Sequence, residues 1–103
     1  MSTTWALIIT LALLASEGAD ANELHRAVRV WPKEQQATAL AYAYCESRGK
    51  PEVRNGVHSG AWQLNEELHG VVPTGLIDQA IQAEELWSRE GWSPWGEGCW
   101  VVQ

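Results

Sequence analysis

The chain has few basic residues, no phenylalanine and no apolar run long enough to span a membrane. Its 103 residues include 7 lysines and arginines against 13 aspartates and glutamates, for a formal net charge of −6. Because nucleic-acid binding depends on basic side chains that neutralise phosphates, this acidic balance argues against a nucleic-acid partner. The three histidines, His25, His58 and His69, lack the close spacing of zinc ligands, so we expect neither a metal nor a cofactor.

The longest apolar run lies near the N-terminus, from Trp5 to Ala15, and is broken only by Thr10. It is well short of the roughly 20 residues that cross a bilayer, but it has the length of a signal-peptide core. Ala19 and Ala21 form a small-x-small cleavage signature just after it. We therefore expect residues 1–21 to be a signal peptide. The leading segment has no lysine or arginine, so an uncleaved anchor and a buried N-terminal helix are the alternatives.

Signal cleavage would leave residues 22–103 as one domain, secreted or otherwise extracytoplasmic, with no stable membrane insertion. It would remove Glu17 and Asp20 and no basic residue, which changes the net charge from −6 to −4. A modest negative charge suits a soluble monomer.

Cysteine is scarce, with only Cys45 and Cys99 in the chain. In an exported protein these two are expected to pair. Closing so long a loop should stabilise a small domain by roughly 4 kcal/mol in the chain-entropy description. Two free buried thiols in a cytosolic protein are the alternative.

Two long helices are predicted, and residues 22–31 suit a short helix or an extended lead-in. The first long helix runs from Lys33 to Ser47, with Pro32 suited to its first turn. Gly49 can take the left-handed conformation that ends a helix, and Pro51 blocks continuation. Its apolar stripe at helical spacing comprises Ala37, Leu40, Ala41, Tyr44 and Cys45.

The second long helix is predicted from about Leu76 to Glu90, with Thr74 available as its N-cap and Gly91 as its stop. Between the helices, Asn55-Gly56 and Ser59-Gly60 are tight-turn signals that predict a small, irregular hairpin.

Three motifs in order carry a family resemblance. They are Cys45-Glu46-Ser47 at the end of the first long helix, Ser59-Gly60-Ala61-Trp62-Gln63-Leu64-Asn65 in the hairpin, and Gly91-Trp92 through Cys99. Together they resemble the lysozyme-like superfamily, and most closely the small lytic-transglycosylase-type domains of bacteria and phages and the catalytic domains of resuscitation-promoting factors. The match covers residues from about 37 to 100.

The resemblance implies a mainly α (α+β) lysozyme-like fold, with helices, a small β-hairpin and one disulfide. It also implies cleavage of the β-1,4 bond between N-acetylmuramic acid and N-acetylglucosamine in peptidoglycan glycan strands, in the cell wall or periplasm or in association with a phage. Such an enzyme would be bacteriolytic. Glu46 matches the family's catalytic acid, and the Cys45–Cys99 pair looks like that of resuscitation-promoting factor domains.

The predicted substrate-binding set follows the hairpin motif and the last helix. Ser59 and Gln63 match cleft residues of the family hairpin. The last helix carries Gln79 and Glu84 where many transglycosylases have an Asn and a Tyr that face the cleft. The full predicted set is Ser59, Trp62, Gln63, Asn65 and Glu84.

The acid must protonate the leaving oxygen, so its pKa has to be raised by burial against apolar surface. The sequence offers Trp62, Tyr44 and the tail tryptophans as walls around Glu46, although core packing is the main alternative for each tryptophan.

Two catalytic mechanisms and one non-catalytic function remain open from the sequence. In a single-glutamate transglycosylase the sugar's own 6-hydroxyl attacks and leaves a 1,6-anhydro product. A hydrolytic muramidase would need a second carboxylate, for which Glu52 and Glu66 are the candidates. A glycan-binding descendant of the fold would have no turnover, and it would tolerate Glu46→Gln.

Overall fold

The structure, a computed structural model, describes residues 19–96 and Cys99. The described chain is mostly helical, with a small antiparallel sheet and one disulfide, which confirms the predicted mainly α (α+β) class. In chain order the elements are α1 (Ala19–Ala27), a 3-10 turn (Val28–Val30), α2 (Lys33–Ser47), β1 (Arg54–Asn55), β2 (His58–Ser59), β3 (Leu64–Asn65), α3 (Glu66–His69), α4 (Leu76–Glu90) and a second 3-10 turn (Ser93–Trp95).

Helix α1 packs against α4. Of the two forms that the sequence allowed for the lead-in, the helical one is found. Its apolar side chains Ala21, Leu24 and Ala27 are fully buried. The predicted signal-peptide core, Trp5 to Ala15, lies outside the described residues, so the division at residue 21 stays a prediction. Within residues 19–96, no helix is both long and apolar enough to cross a membrane.

Helix α2 has the predicted bounds, and the chain turns into the left-handed region at Arg48 (φ 60°) and Gly49 (φ 76°). Its buried face differs from the predicted stripe, because Ala37 is exposed. Buried residues instead run without a break through the middle of the helix, from Ala39 to Ala43. Small alanine side chains allow neighbouring elements to approach this helix closely on more than one side.

The predicted hairpin is a three-stranded antiparallel sheet in the order β1-β2-β3. Asn55 pairs with His58 across the Asn55-Gly56 turn, and Gly56 has the positive φ of 61° that such a turn needs. His58 also pairs with Asn65 on the other side, and Ser59 with Leu64. Strand β2 therefore lies in the middle of the sheet.

Helix α4 has the predicted bounds, but its N-cap is Gly75 and no side chain caps it. The predicted capping role of Thr74 is therefore wrong, because Thr74 lies one residue before the capping position. The short helix α3 does have a side-chain cap: Oδ1 of Asn65 accepts hydrogen bonds from the backbone N–H groups of Glu67 (2.9 Å) and Leu68 (3.3 Å).

Tryptophans form the centre of the core. Trp31 packs against Trp62 with ring centroids 5.3 Å apart, and against Trp92 at 5.8 Å. Trp92 also stacks on Tyr42 at 4.8 Å, so the segment after α4 is held on the surface of α2. The Cys45–Cys99 disulfide also joins the segment after α4 to α2. Trp100, the last of the tail tryptophans, lies outside the described residues.

Candidate functional site

A cavity of about 490 Å³ opens where the end of α2 meets the sheet, α3 and the end of α4. This volume lies within the range of about 300–1,000 Å³ that is usual for ligand sites. The side chains around it come from every one of these elements and from the 3-10 turn after α4. They are Glu46, His58, Gln63, Leu64, Asn65, Leu68, His69, Leu86, Glu90, Pro94 and Trp95.

Glu46 lies in the last turn of α2, and both of its neighbours in sequence hold it in place. Cys45 is joined to Cys99 by the disulfide. The buried hydroxyl of Ser47 donates to the carbonyl oxygen of Ala61, 2.8 Å away, and accepts from the backbone N–H of Lys50 at 3.1 Å. The Cys-Glu-Ser motif thus attaches the end of α2 to the tail on one side of Glu46 and to the segment between β2 and β3 on the other.

The carboxyl group of Glu46 is half-buried. Burial raises its pKa above the ordinary value, and the nearby positive charge of His58 lowers it in part, with a net increase. Oε2 lies 3.4 Å from Sγ of Cys99. A disulfide sulfur carries no proton, so it cannot donate a hydrogen bond to the carboxylate. The contact therefore excludes water from Oε2 without replacing the hydrogen bond that water would make. Tyr42, one turn earlier on α2, has its pKa raised by its own burial and then by the charge of Glu46.

His58 is a further side chain of the cavity that the predicted site did not include. It is exposed, but it lies on β2 and lines the same cavity as Glu46. The sequence contained the turn signals on both sides of it, Asn55-Gly56 and Ser59-Gly60. The sequence did not indicate that the sheet lies next to the end of α2, because that contact depends on tertiary packing.

Gln63 and Asn65 both line the cavity, as expected. Gln63 is buried and has a left-handed backbone with φ 51°. Its Nε2 donates to the carbonyl oxygens of Gly60 (2.8 Å) and Val53 (2.9 Å), so its amide shapes the cavity wall. Asn65 uses Oδ1 to cap α3, and within residues 19–96 its Nδ2 makes no hydrogen bond to protein.

The prediction that Trp62 contacts a sugar needs correction. Its side chain is only 1% exposed, and its Nε1 donates to the carbonyl oxygen of Ala39 at 3.0 Å. Its ring therefore has no face left for a ligand. The backbone carbonyl of Trp62 accepts from Nε1 of Trp95 at 2.9 Å. Trp95 is the aromatic residue that lines the cavity beside Glu46, as predicted for the tail tryptophans.

Ser59 and Glu84 do not line the cavity. Ser59 follows His58 on β2, and successive residues of a strand point to opposite faces of the sheet. Helix α4 contributes Leu86 and Glu90 instead of Glu84. Tyr44 is also absent from the lining. Its hydroxyl accepts a hydrogen bond from Arg48 at 2.8 Å.

Gln79 is a buried structural residue that lies outside the cavity lining. Its Oε1 accepts from the backbone N–H of Ala61 at 2.8 Å. Its Nε2 donates to the carbonyl oxygens of Pro73 (2.8 Å) and Pro51 (3.0 Å). At this position the side chain attaches α4 to the loops on either side of the sheet.

Neither carboxylate that the sequence offered as a second catalytic group lines the cavity. Glu66 accepts from the backbone N–H of Val72 and forms an ion pair with Arg54, both at 2.8 Å, and these two interactions lower its pKa. Glu52 is exposed. The second carboxylate of the lining is Glu90, at the C-terminal end of α4. It was missed because only packing brings the ends of α2 and α4 to one cavity.

No cluster of three His, Cys, Asp or Glu side chains that could hold a metal ion occurs in the described part of the chain. Comparison of the protein with family models, with curated proteins and with solved structures yields no match. The resemblance to lysozyme-like enzymes therefore rests on the three sequence motifs alone.

Proposed function

We propose that this protein is a lysozyme-like enzyme that cleaves the β-1,4 bond between N-acetylmuramic acid and N-acetylglucosamine, with Glu46 as its general acid. The observation that carries the proposal is the position of Glu46. A half-buried carboxyl group with a raised pKa opens into a cavity of about 490 Å³. A general acid has to retain its proton until the leaving oxygen takes it, and burial provides that condition.

The sheet side of the cavity suits a single-glutamate route. Glycosidases that use two carboxylates place them on either side of the scissile bond. Strands β1, β2 and β3 contain no carboxylate, and Glu66 is engaged by Arg54 and Val72. In the single-glutamate route Glu46 protonates the glycosidic oxygen, and the 6-hydroxyl of the muramic acid attacks its own anomeric carbon. The product carries a 1,6-anhydro ring, as in lytic transglycosylases.

Hydrolysis is the second candidate, and Glu90 favours it. This carboxylate lines the same cavity as Glu46 and lies at the exposed end of α4. It could orient a water molecule that attacks the anomeric carbon in place of the 6-hydroxyl.

The third candidate function is glycan binding without turnover. In such a protein Trp62, Gln63 and Gln79 would have structural roles, because their side-chain polar groups are all used inside the fold.

Product analysis in heavy-oxygen water separates these functions. The disulfide-bonded protein is incubated with purified peptidoglycan, and the soluble fragments are analysed by mass spectrometry. A transglycosylase releases anhydro-muropeptides without heavy oxygen, whereas a hydrolase releases reducing ends that contain it. No fragments from a folded wild type, together with glycan binding that survives Glu46→Gln, would overturn the enzymatic proposal.

The proposed substrate requires an extracytoplasmic location. We therefore keep the proposal that residues 1–21 are a signal peptide and that the remaining chain acts as a secreted or phage-associated monomer on glycan strands. Terminal sequencing of the exported product tests the cleavage directly: an N-terminus at residue 22 supports it, and an N-terminus at Met1 supports an anchor.

A further inference from the structure

His58 and Glu46 approach the same cavity from different elements. Glu46 comes from the end of α2, and His58 from β2, the central strand of the sheet. Both line the cavity, and the charge of His58 acts on Glu46. The backbone of His58 is fixed by pairing with Asn55 on one side and Asn65 on the other. Its imidazole makes no hydrogen bond to the described residues, so it is available to a ligand.

Cleavage needs a group that takes a proton from the attacking hydroxyl. Imidazole is the commonest general base in enzymes, because it is partly neutral near physiological pH. The sheet offers no carboxylate for this role. We propose that neutral His58 is a second catalytic residue, the base that deprotonates the attacking hydroxyl while Glu46 protonates the leaving oxygen. This inference rests on the proposed function and deepens it.

The step balances with the groups present in the cavity. The Glu46 carboxyl gives its proton to the glycosidic oxygen, and the bond from the anomeric carbon to that oxygen breaks with its electron pair going to the oxygen. The attacking hydroxyl oxygen bonds to the anomeric carbon and gives its proton to an imidazole nitrogen of His58. Glu46 is then a carboxylate and His58 an imidazolium. One proton passing between them through water in the open cavity restores the starting state.

Three other titratable groups either line the same cavity or lie near Glu46, each on a different element. Tyr42 precedes Glu46 by one turn on α2, His69 ends α3, and Glu90 ends α4. Unlike these three, His58 acts on the ionisation of Glu46 as a cation. The control position is Glu85, an exposed residue of α4 that does not line the cavity.

The experiment compares His58→Gln and His58→Ala with Glu85→Gln on purified peptidoglycan. General bases contribute about 100- to 10,000-fold, so we expect kcat to fall at least about 100-fold in both His58 variants, with KM little changed. Glu85→Gln should keep the wild-type kcat, because Glu85 is exposed and lies outside the cavity lining. Added imidazole should restore part of the activity of His58→Ala, since the free base can enter the space that the side chain leaves.

The pH profile separates a base from a residue that only holds the cavity together. Turnover in wild type requires Glu46 with its proton and His58 without one. The value of kcat should therefore rise and then fall as pH increases. The His58→Gln profile should lose the decrease at low pH and keep the decrease at higher pH. Unfolding midpoints of the variants, measured by tryptophan fluorescence, should stay at the wild-type value because His58 is exposed.

The outcomes distinguish this inference from the proposed function. If Glu46→Gln is inactive while His58→Gln keeps the wild-type kcat and pH profile, the base assignment is overturned and the enzyme stands. If folded wild type releases no fragments, both are overturned. A loss in His58→Ala that imidazole does not restore, with an unchanged pH profile, also overturns the assignment.

Discussion

Sγ of Cys99 lies 3.4 Å from Oε2 of Glu46, so the disulfide forms part of the wall around the carboxyl group. The bond from Cys45 to Cys99 joins the last turn of α2 to the tail. It thus contributes to stability and also keeps solvent from the group that the proposal makes the catalytic acid.

Replacing both cysteines by alanine should lower the free energy of unfolding by about 4 kcal/mol, because the open chain regains the entropy of a long loop. The measurement is urea unfolding of the double variant beside wild type. An unchanged midpoint would mean that packing of Trp92 and Trp95 on α2 holds the tail without the bond.

The same double variant should show a lower pKa for Glu46, because burial is the largest cause of its increase and the sulfur wall would be gone. Carbon NMR of the Glu46 carboxyl group follows this titration. A Glu46 pKa that stays at the wild-type value would show that the other walls, Trp95 among them, are sufficient to desolvate the group.

Glu46→Gln should stabilise the protein at neutral pH relative to wild type. The folded-state pKa of Glu46 is raised, so its favourable contribution is complete below the ordinary value near 4.5 and is lost as pH rises through the raised value. The amide carries no charge at any pH. The difference in melting temperature should therefore favour the variant at neutral pH and disappear in acid.

The exposed Glu85→Gln on α4 is the control for loss of one negative charge. A wild type more stable than Glu46→Gln at neutral pH would mean that Glu46 has a favourable partner when ionised, which contradicts a desolvated acid.

His58→Gln should raise the pKa of Glu46 further, because the imidazolium is the cation that lowers it. His69→Gln should leave the Glu46 titration where it is in wild type. Carboxyl NMR of the two variants measures both. Equal shifts in the two variants would contradict a specific contact between His58 and Glu46.

Gln79→Leu should destabilise the fold by about 2–3 kcal/mol, since it leaves the buried N–H of Ala61 and the carbonyls of Pro51 and Pro73 without their partner. Gln82→Leu on the same helix is the control, with longer hydrogen bonds of 3.2 and 3.4 Å to the carbonyls of His69 and Val71. We expect a cost below about 1 kcal/mol there. Equal costs in urea unfolding would mean that Gln79 does not hold α4 to the sheet.

The two long helices could be predicted because their signals are local. Gly91 ends α4 where the sequence indicated, and α2 ends at the predicted residue, although Arg48 enters the left-handed region before Gly49. The buried face of α2 could not be predicted from periodicity. Its central residues, Ala39 to Ala43, are enclosed on more than one side, so the helix has no simple apolar stripe.

The candidate site was predictable in part. Glu46, Gln63 and Asn65 line the cavity as expected. The sugar contact predicted for Trp62 is wrong because its ring is buried against Trp31 in the core, a contact that no local pattern indicates. Glu90 is far from Glu46 in sequence, and no local pattern indicates that it lines the same cavity.

The most direct test of the account is the initial rate at which disulfide-bonded wild type and Glu46→Gln release soluble fragments from purified peptidoglycan, with Glu85→Gln as the matched control. General-acid catalysis predicts a fall of about 100- to 10,000-fold for Glu46→Gln and a wild-type rate for Glu85→Gln. A Glu46→Gln protein that releases fragments at the wild-type rate would contradict the account, because a neutral amide cannot donate the proton that the leaving oxygen requires.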